Sequence, residues 1–420
     1  MSLNASDERA LDGLRGEPMR LAMRLVVAMA GAVGAERLLD VTSAHVDGGL
    51  YHGQVSLDFA ERLAARGARV AVPTTMNVGS LDLLHPDRYR GDADISARAR
   101  RLMDLYTSMG CRPSWTCAPY QLSNRPAFGE HVAWAESNAV AFANSVLGAR
   151  TERYGDFLDI CAAITGRVPD AGLHRIENRR GRILFRLMGV PARLLSERVI
   201  YPLVGHVVGR AAGSSVPIID GLPSSATEDD LKALGAAAAS SGSVGLFHAA
   251  GLTPEAPTIE EACQGHPPER TIDITPADLI QARDSLSTAG PDGLRAISLG
   301  TPHFSVAEFE RLQDLMGGQT IGPGIEFWVS TARDVLAEAA AGGLVEPLER
   351  AGVKVVTDTC TYVTTILGPG RGVVMTDSAK WAYYAPANIG VEVVFGSMRE
   401  CVRSAVTGRV WRDPELWADA

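Results

Sequence analysis

The segment GCRPSWTCAPYQL carries two of the chain's six cysteines, Cys111 and Cys117, with the others at 161, 263, 360 and 401. Thiols ligate soft and borderline metals, form redox pairs, or pack as small apolar groups. The Cys111 to Cys117 spacing is loose for zinc and no C-x-x-C pair occurs, so spacing alone leaves all three readings open. Other reactive residue types gather in six short polar stretches: TSAHVDGG (42–49), PTTMNVGS (73–80), SLGTPHFS (298–305), WVSTARD (328–334), VTDTCTYV (356–363) and MTDSAKWAYY (375–384). Any one of these reads as helix capping, since Ser, Thr, Asp and Asn are ordinary N-caps. Six together read as a pocket for a small polar substrate. Ser43, His45 and Lys380 are the candidate reacting groups, His45 as an acid or orienting group and Lys380 as an ammonium for a substrate carboxylate. Thr75, Asn77 and Ser330 offer neutral hydrogen bonds. In GEHVAWAESNAVAFANSVLGAR, expected as a helix over 129–146, Glu136, Asn138 and Asn144 sit among apolar residues and require partners. Arg150 is the expected partner for Glu136, and Glu136 and Asn138 are further candidates for substrate contact.

These groups need elements to position them. Residues 18–34 have helical apolar periodicity, and SLDFAERLAARGARVAVPTTMNVG reads as a helix, a strand over ARVAV and a polar loop over 73–80. The same unit recurs in DGLRAISLGTPHFSVAEFERLQDLMGG and in RGVVMTDSAKWAYYAPANIGVEVVFGSMRECVRSAVTG. Such alternation predicts an α/β fold with largely parallel sheets and chemistry at the C-terminal strand ends. A length of 420 residues exceeds one ordinary core. Turn-rich, charged stretches divide it into regions over about 1–170, 171–295 and 296–420.

Composition excludes several classes. With 46% hydrophobic and 21% charged residues the chain is globular, and its net charge of -9 without a basic run gives no footprint for nucleic acid or an anionic membrane. The polar start MSLNASDERALDGLRGEP is unlike a signal peptide, so a cytoplasmic location with reduced thiols is expected. GGQTIGPGIEF and LGPGRG lack the spacing of a dinucleotide fingerprint, and P-loop, HExxH and GxSxG patterns are missing.

Ten motifs in order, TSAHVDGG, VPTTMNVGSLD, TCAPY, GEHVAWAESNAVAFANSVLGART, AAITGRVP, GLHRIENRR, LGTPHFS, WVSTARD, DTCTYV and DSAKWAYYAP, resemble the large subunit of the aconitase X family. The resemblance runs from about residue 15 to about residue 410. It implies an aconitase-like fold of three α/β/α domains, lacking the family's small swivel domain. It also implies a hydro-lyase with an iron-sulfur centre, dependent on a small swivel subunit that supplies a serine base. The family's known substrates are cis-3-hydroxy-L-proline and mevalonate 5-phosphate. Its cluster cysteines fall on Cys117 and Cys360; a third position is Thr301 here, and Cys111 matches no ligand, which returns it to the packed thiols. Tyr120 joins the substrate-contact candidates through TCAPY.

A threonine hydroxyl is a far weaker ligand than a thiolate. The expected centre is therefore smaller than a 4Fe-4S cluster: a 2Fe-2S cluster or a single iron, on Cys117 and Cys360 with a further ligand unassigned, zinc being less supported. A phosphorylated substrate needs paired basic groups, and the strand-end loops offer only Arg333 and Lys380. Dehydration of cis-3-hydroxy-L-proline to Δ1-pyrroline-2-carboxylate is favoured. The alternatives are dehydration of mevalonate 5-phosphate or another hydroxy acid, and an inactive binding or scaffold homologue.

Overall fold

Short β-branched and apolar runs separated by amphipathic helices form four sheets in the computed structural model. It describes residues 1–368, 370 and 372–418, so Pro369 and Arg371 of LGPGRG lie outside the described residues. The chain divides into two units, residues 1–81 with 92–180, and residues 82–91 with 181–420.

The first unit holds β1 (Leu38–Asp40), β2 (Ala44–Val46), β3 (Thr74–Met76), β4 (Ala133–Trp134) and β5 (Arg167–Pro169). β2 lies between β3 and β4 in a parallel sheet, and β1 pairs antiparallel with β5. The expected helix over 18–34 is Glu17–Ala32, entered through Gly16 at positive φ and a proline in its first turn. Two expectations are corrected. ARVAV is not a strand; β3 lies in the following PTTM, paired Ala44 to Thr74 and His45 to Thr75. The amides of Val70 and Ala71 instead donate to the carbonyls of Met109 and Ala163, so tertiary partners take the groups a strand would have paired. Nor is 129–146 one helix. Ala133–Trp134 is a strand, and the helix Ser137–Ser145 starts where the Glu136 side chain accepts from the Ala139 amide.

The second unit has a parallel four-stranded sheet of β6 (Ile183–Leu187), β7 (Pro217–Asp220), β8 (His248–Ala249) and β9 (Arg270–Ile274), ordered β8-β7-β6-β9. Its larger sheet holds β10 (Leu294–Phe304), β11 (Glu326–Thr331), β12 (Val353–Val356), β13 (Val373–Thr376) and β14 (Glu392–Phe395), all parallel in the order β12-β11-β10-β13-β14. Ile297, Leu299, Phe327, Val329 and Met375 from these strands pack with Phe309 and Leu312 of the helix Val306–Met316. Strands covered on both faces read as continuous apolar runs, as IEFWVS and GVVMT do. The α/β class with largely parallel sheets is the one expected from sequence.

The expected loop SLGTPHFS is largely strand: β10 continues through Phe304, with a register shift against β11 between Leu299 and Phe304. At Gly300 φ is +87°, and a Cβ there would overlap the Ser330 backbone. Among the described residues, no helix is long and apolar enough to cross a membrane.

Candidate functional site

In the first unit the small sheet carries buried polar side chains among its apolar ones. His45, mid-strand in β2, places Nδ1 2.8 Å from Thr75 Oγ1 of β3. Burial drives its pKa down to about 3, a Thr116 backbone hydrogen bond opposing this in part, so the ring is neutral at physiological pH. Ser43 and Thr75 line one cleft of about 430 Å³ together with Arg112, Asn124 and Trp134.

The residues that leave the C-terminal ends of these strands form a second group. Asn77, beyond β3, is buried and its amide nitrogen donates to Asp47, which follows β2. The Asp47 carboxyl is pushed up to about 7, first by burial and then by Glu136, with the Asn77 hydrogen bond opposing. The Asp47 amide donates to Asp159 Oδ2 at 2.7 Å, and burial raises the Asp159 carboxyl to about 6. Tyr120 donates its hydroxyl to Asn138 Oδ1 at 2.6 Å, and its ring stacks on Phe142 with centroids 3.8 Å apart. Asn138 Nδ2 in turn donates to the Cys117 carbonyl at 2.9 Å and to Glu136 Oε2. Glu136 also accepts from the Ala139 amide at 2.8 Å and from Ser137 Oγ at 3.1 Å.

Tyr120, Glu136 and Asn138 are thus one hydrogen-bonded group behind Cys117. Arg150, expected to pair with Glu136, instead donates to the His174 carbonyl. Asn144 is paired as its burial requires, with both the amide and the carbonyl of Thr151. Cys111 is buried, and burial, followed by the charge of Asp159, pushes its thiol up to about 12. Such a thiol is inert.

In the second unit, candidate groups collect where β10, β11 and β12 end. His303, in β10 and fully buried, sets Nε2 3.2 Å from the Thr359 carbonyl. That contact makes Nε2 the protonated nitrogen and Nδ1 the lone-pair nitrogen, the form a metal takes. Burial lowers its pKa to about 4, with Lys232 and Lys380 adding to the effect against the Thr359 hydrogen bond. A ring nitrogen of His303 and Cys360 Sγ lie within 4.8 Å of each other. Thr301 Oγ1, Ser330 Oγ and Thr359 Oγ1 are buried without a hydrogen-bond partner among the described residues. Buried hydroxyls left unsatisfied are costly, and a bound group would relieve that cost. A thiol, a neutral imidazole and unsatisfied hydroxyls suit a borderline-soft metal such as iron.

Lys380 is buried in the first turn of the helix Ala379–Ile389, not solvated on its surface. The cap of that helix is Ser378, whose hydroxyl accepts from the Trp381 amide and donates to the Thr301 carbonyl. Arg333 and Asp358 form a bidentate pair, both contacts 2.6 Å, with the carboxylate wholly buried. Sequence reasoning missed His303, Asp47 and Asp358. His303 stood two residues from Thr301 in a quoted motif; for the two aspartates only burial gives the signal, and sequence does not show it.

Three family models match the chain: aconitase X first domain over residues 1–177, second domain over 181–284 and third domain over 294–407. A cis-3-hydroxy-L-proline dehydratase of Pseudomonas aeruginosa is 42% identical over 410 residues, which are 97% of this chain and 70% of that protein. A phosphomevalonate dehydratase large subunit of Methanothermobacter thermautotrophicus is 37% identical over 96% of this chain and 98% of its own length. The crystal structure of Thermococcus kodakaraensis aconitase X in its holo-form superposes with a TM-score of 0.87 at 32% identity, over 96% of this chain and 100% of that one.

Proposed function

The chain belongs to the aconitase X family, and on that premise we propose that it dehydrates cis-3-hydroxy-L-proline to Δ1-pyrroline-2-carboxylate in concert with a small swivel subunit. The coarse class, a hydro-lyase, follows from the dehydratases among its relatives. In this reaction the Cα–H bond gives its electron pair to a new Cα=Cβ bond and the hydroxyl leaves Cβ as water. The resulting enamine then takes a proton on Cβ and gives up its N–H proton to become the cyclic imine. The base is assigned to the partner, as the resemblance implies.

The observation that carries the choice of substrate is the Arg333–Asp358 pair. Of the two cations that the strand-end loops offer, Arg333 is neutralised by a bidentate carboxylate. Lys380 brings a single positive charge, which suits the one carboxylate of an amino acid better than a phosphorylated acid. Asn77, Tyr120, Glu136, Asn138 and Ser330 are proposed to hold the remaining polar groups of the substrate. His45, neutral and bonded to Thr75, is proposed to orient rather than protonate, and Ser43 with Thr75 to form the polar wall of their cleft.

The proposed cofactor is a 2Fe-2S cluster or a single iron, with Cys117 and Cys360 as thiolate ligands, His303 as a neutral nitrogen donor and Thr301 at the position of a family cysteine. Bound there, the centre supplies a Lewis acid for the departing hydroxyl. The chain's own residues hold the carboxylate, orient the ring and keep bulk water from the reacting carbon.

A second reading has one observation in its favour. A phosphomevalonate dehydratase large subunit is 37% identical over 96% of this chain. A separate small subunit is common to both readings. Anaerobic purification with that subunit, followed by iron and acid-labile sulfide analysis and an assay of water loss from cis-3-hydroxy-L-proline, tests the proposal. About two irons and two sulfides per chain, or about one iron without sulfide, support the smaller centre; about four of each contradict it.

A further inference from the structure

At the end of the large sheet opposite Cys360, where β10, β11 and β13 begin, the second unit has a cleft of about 310 Å³. Arg90, Arg295, Thr364, Thr365 and Asn388 line it, with Leu367, Gly368 and Gly370. We propose that this cleft binds a small phosphate-type oxyanion, free or as a phosphomonoester, at a site separate from the strand ends that carry Cys360 and His303.

The argument begins with charge. Arg90 Nη2 lies 2.7 Å from Glu326 Oε1, and Lys354 Nζ lies 3.6 Å from the same oxygen. Arg295 has no carboxylate of its own: its guanidinium donates to the Gly368 carbonyl at 2.9 Å and to the Gly372 carbonyl at 3.4 Å. Among the described residues, three cations therefore stand against one carboxylate. Burial lowers the Arg295 pKa, Glu326 opposing and Arg90 adding to the effect, as expected of a guanidinium held near a like charge. A dianion entering the cleft would balance the excess charge and take the remaining N–H groups of the fork.

The two arginines are also held in place. The Arg90 amide donates to the Thr365 carbonyl at 2.7 Å. A Cβ on Gly368 would collide with Arg90 Nη1, so only glycine lets that guanidinium lie against the loop. At Gly372, whose carbonyl accepts from Arg295, φ is +127° and a Cβ would overlap the Gly293 carbonyl oxygen. Both guanidiniums thus rest against the backbone at Gly368, fixed before a ligand arrives, which lowers the ordering cost of binding. The helix Ala379–Ile389 ends at the same cleft and presents the carbonyl end of its dipole. That end carries only about half a negative charge, less than the two guanidiniums supply.

Titration of the intact protein with inorganic phosphate and, in parallel, glycerol phosphate in low-chloride buffer, followed calorimetrically, tests the site. Saturable binding is expected, weakened at least tenfold in Arg295→Gln and in Arg90→Gln, weakened several-fold by Lys354→Gln, and unchanged in Arg333→Gln, whose residue lies at the other end of the sheet. Thermal melts of each variant separate loss of the site from loss of the fold, and Lys354→Gln, on an exposed side chain, keeps the test open if an arginine variant unfolds. Tighter binding of the phosphomonoester assigns an organic source, and equal binding assigns phosphate itself. No saturable binding of either ligand overturns the proposal, as does binding that survives in folded Arg295→Gln or is lost in Arg333→Gln.

Discussion

Cys111 and Cys117 are both buried, yet their surroundings differ in kind. The Cys111 thiol is pushed to about 12 and held inert, while the Cys117 carbonyl is tied to Asn138 within the Tyr120–Asn138–Glu136 group. Cys111→Ala should keep its iron, whereas Cys117→Ala and Cys360→Ala should lose most of it, as measured by metal analysis after anaerobic purification. Equal retention in all three would remove the cysteines from the proposed ligand set. Asn138→Ala removes one buried hydrogen bond each from the Tyr120 hydroxyl, the Glu136 carboxylate and the Cys117 carbonyl and should cost about 2 kcal/mol, read from denaturant unfolding. Much of this level was legible in sequence, because polar side chains in apolar runs must find partners. What was not legible is which partner: Glu136 turned to its own helix start, and Arg150 went elsewhere.

The strands and helices were legible by class and less so by position. Periodicity located the helix Glu17–Ala32 within two residues, since a sixteen-residue amphipathic stripe leaves little latitude. β3 was misplaced because it is three residues long and is set by its tertiary partners, not by local pattern. The loop expected over SLGTPHFS is mostly strand because β10 is held by β11 as far as Phe304. Gly300 makes that approach possible, so Gly300→Ala should cost about 2–4 kcal/mol through positive φ and overlap with the Ser330 backbone. A shift in thermal midpoint of less than 2 °C would show that the strand can give way. Arg333→Ala strands the buried Asp358 carboxylate, leaving it the Leu83 amide at 3.1 Å. Because Arg333 is itself 37% exposed, the cost is discounted to about 1–3 kcal/mol.

For the molecule as a whole, pH ties the buried carboxyls to stability. Half-buried Asp47 has a folded pKa raised to about 7, so the folded state holds its proton more tightly than the unfolded chain does. Its contribution is intact below about pH 4 and is lost as pH rises toward about 7. Asp47→Asn should match the wild type at the acid end and become the more stable of the two as pH approaches 7, compared by urea midpoints. A constant difference across that range would contradict the raised value. The family, the α/β class and the hydro-lyase chemistry were legible through ten motifs in order, a pattern no single loop could carry. The central claim concerns what the chain does with its partner. Turnover of cis-3-hydroxy-L-proline by the anaerobically purified pair, followed by proton NMR beside mevalonate 5-phosphate, tests it most directly. Water loss from the amino acid with formation of Δ1-pyrroline-2-carboxylate is the predicted result; turnover of the phosphorylated acid alone would contradict it.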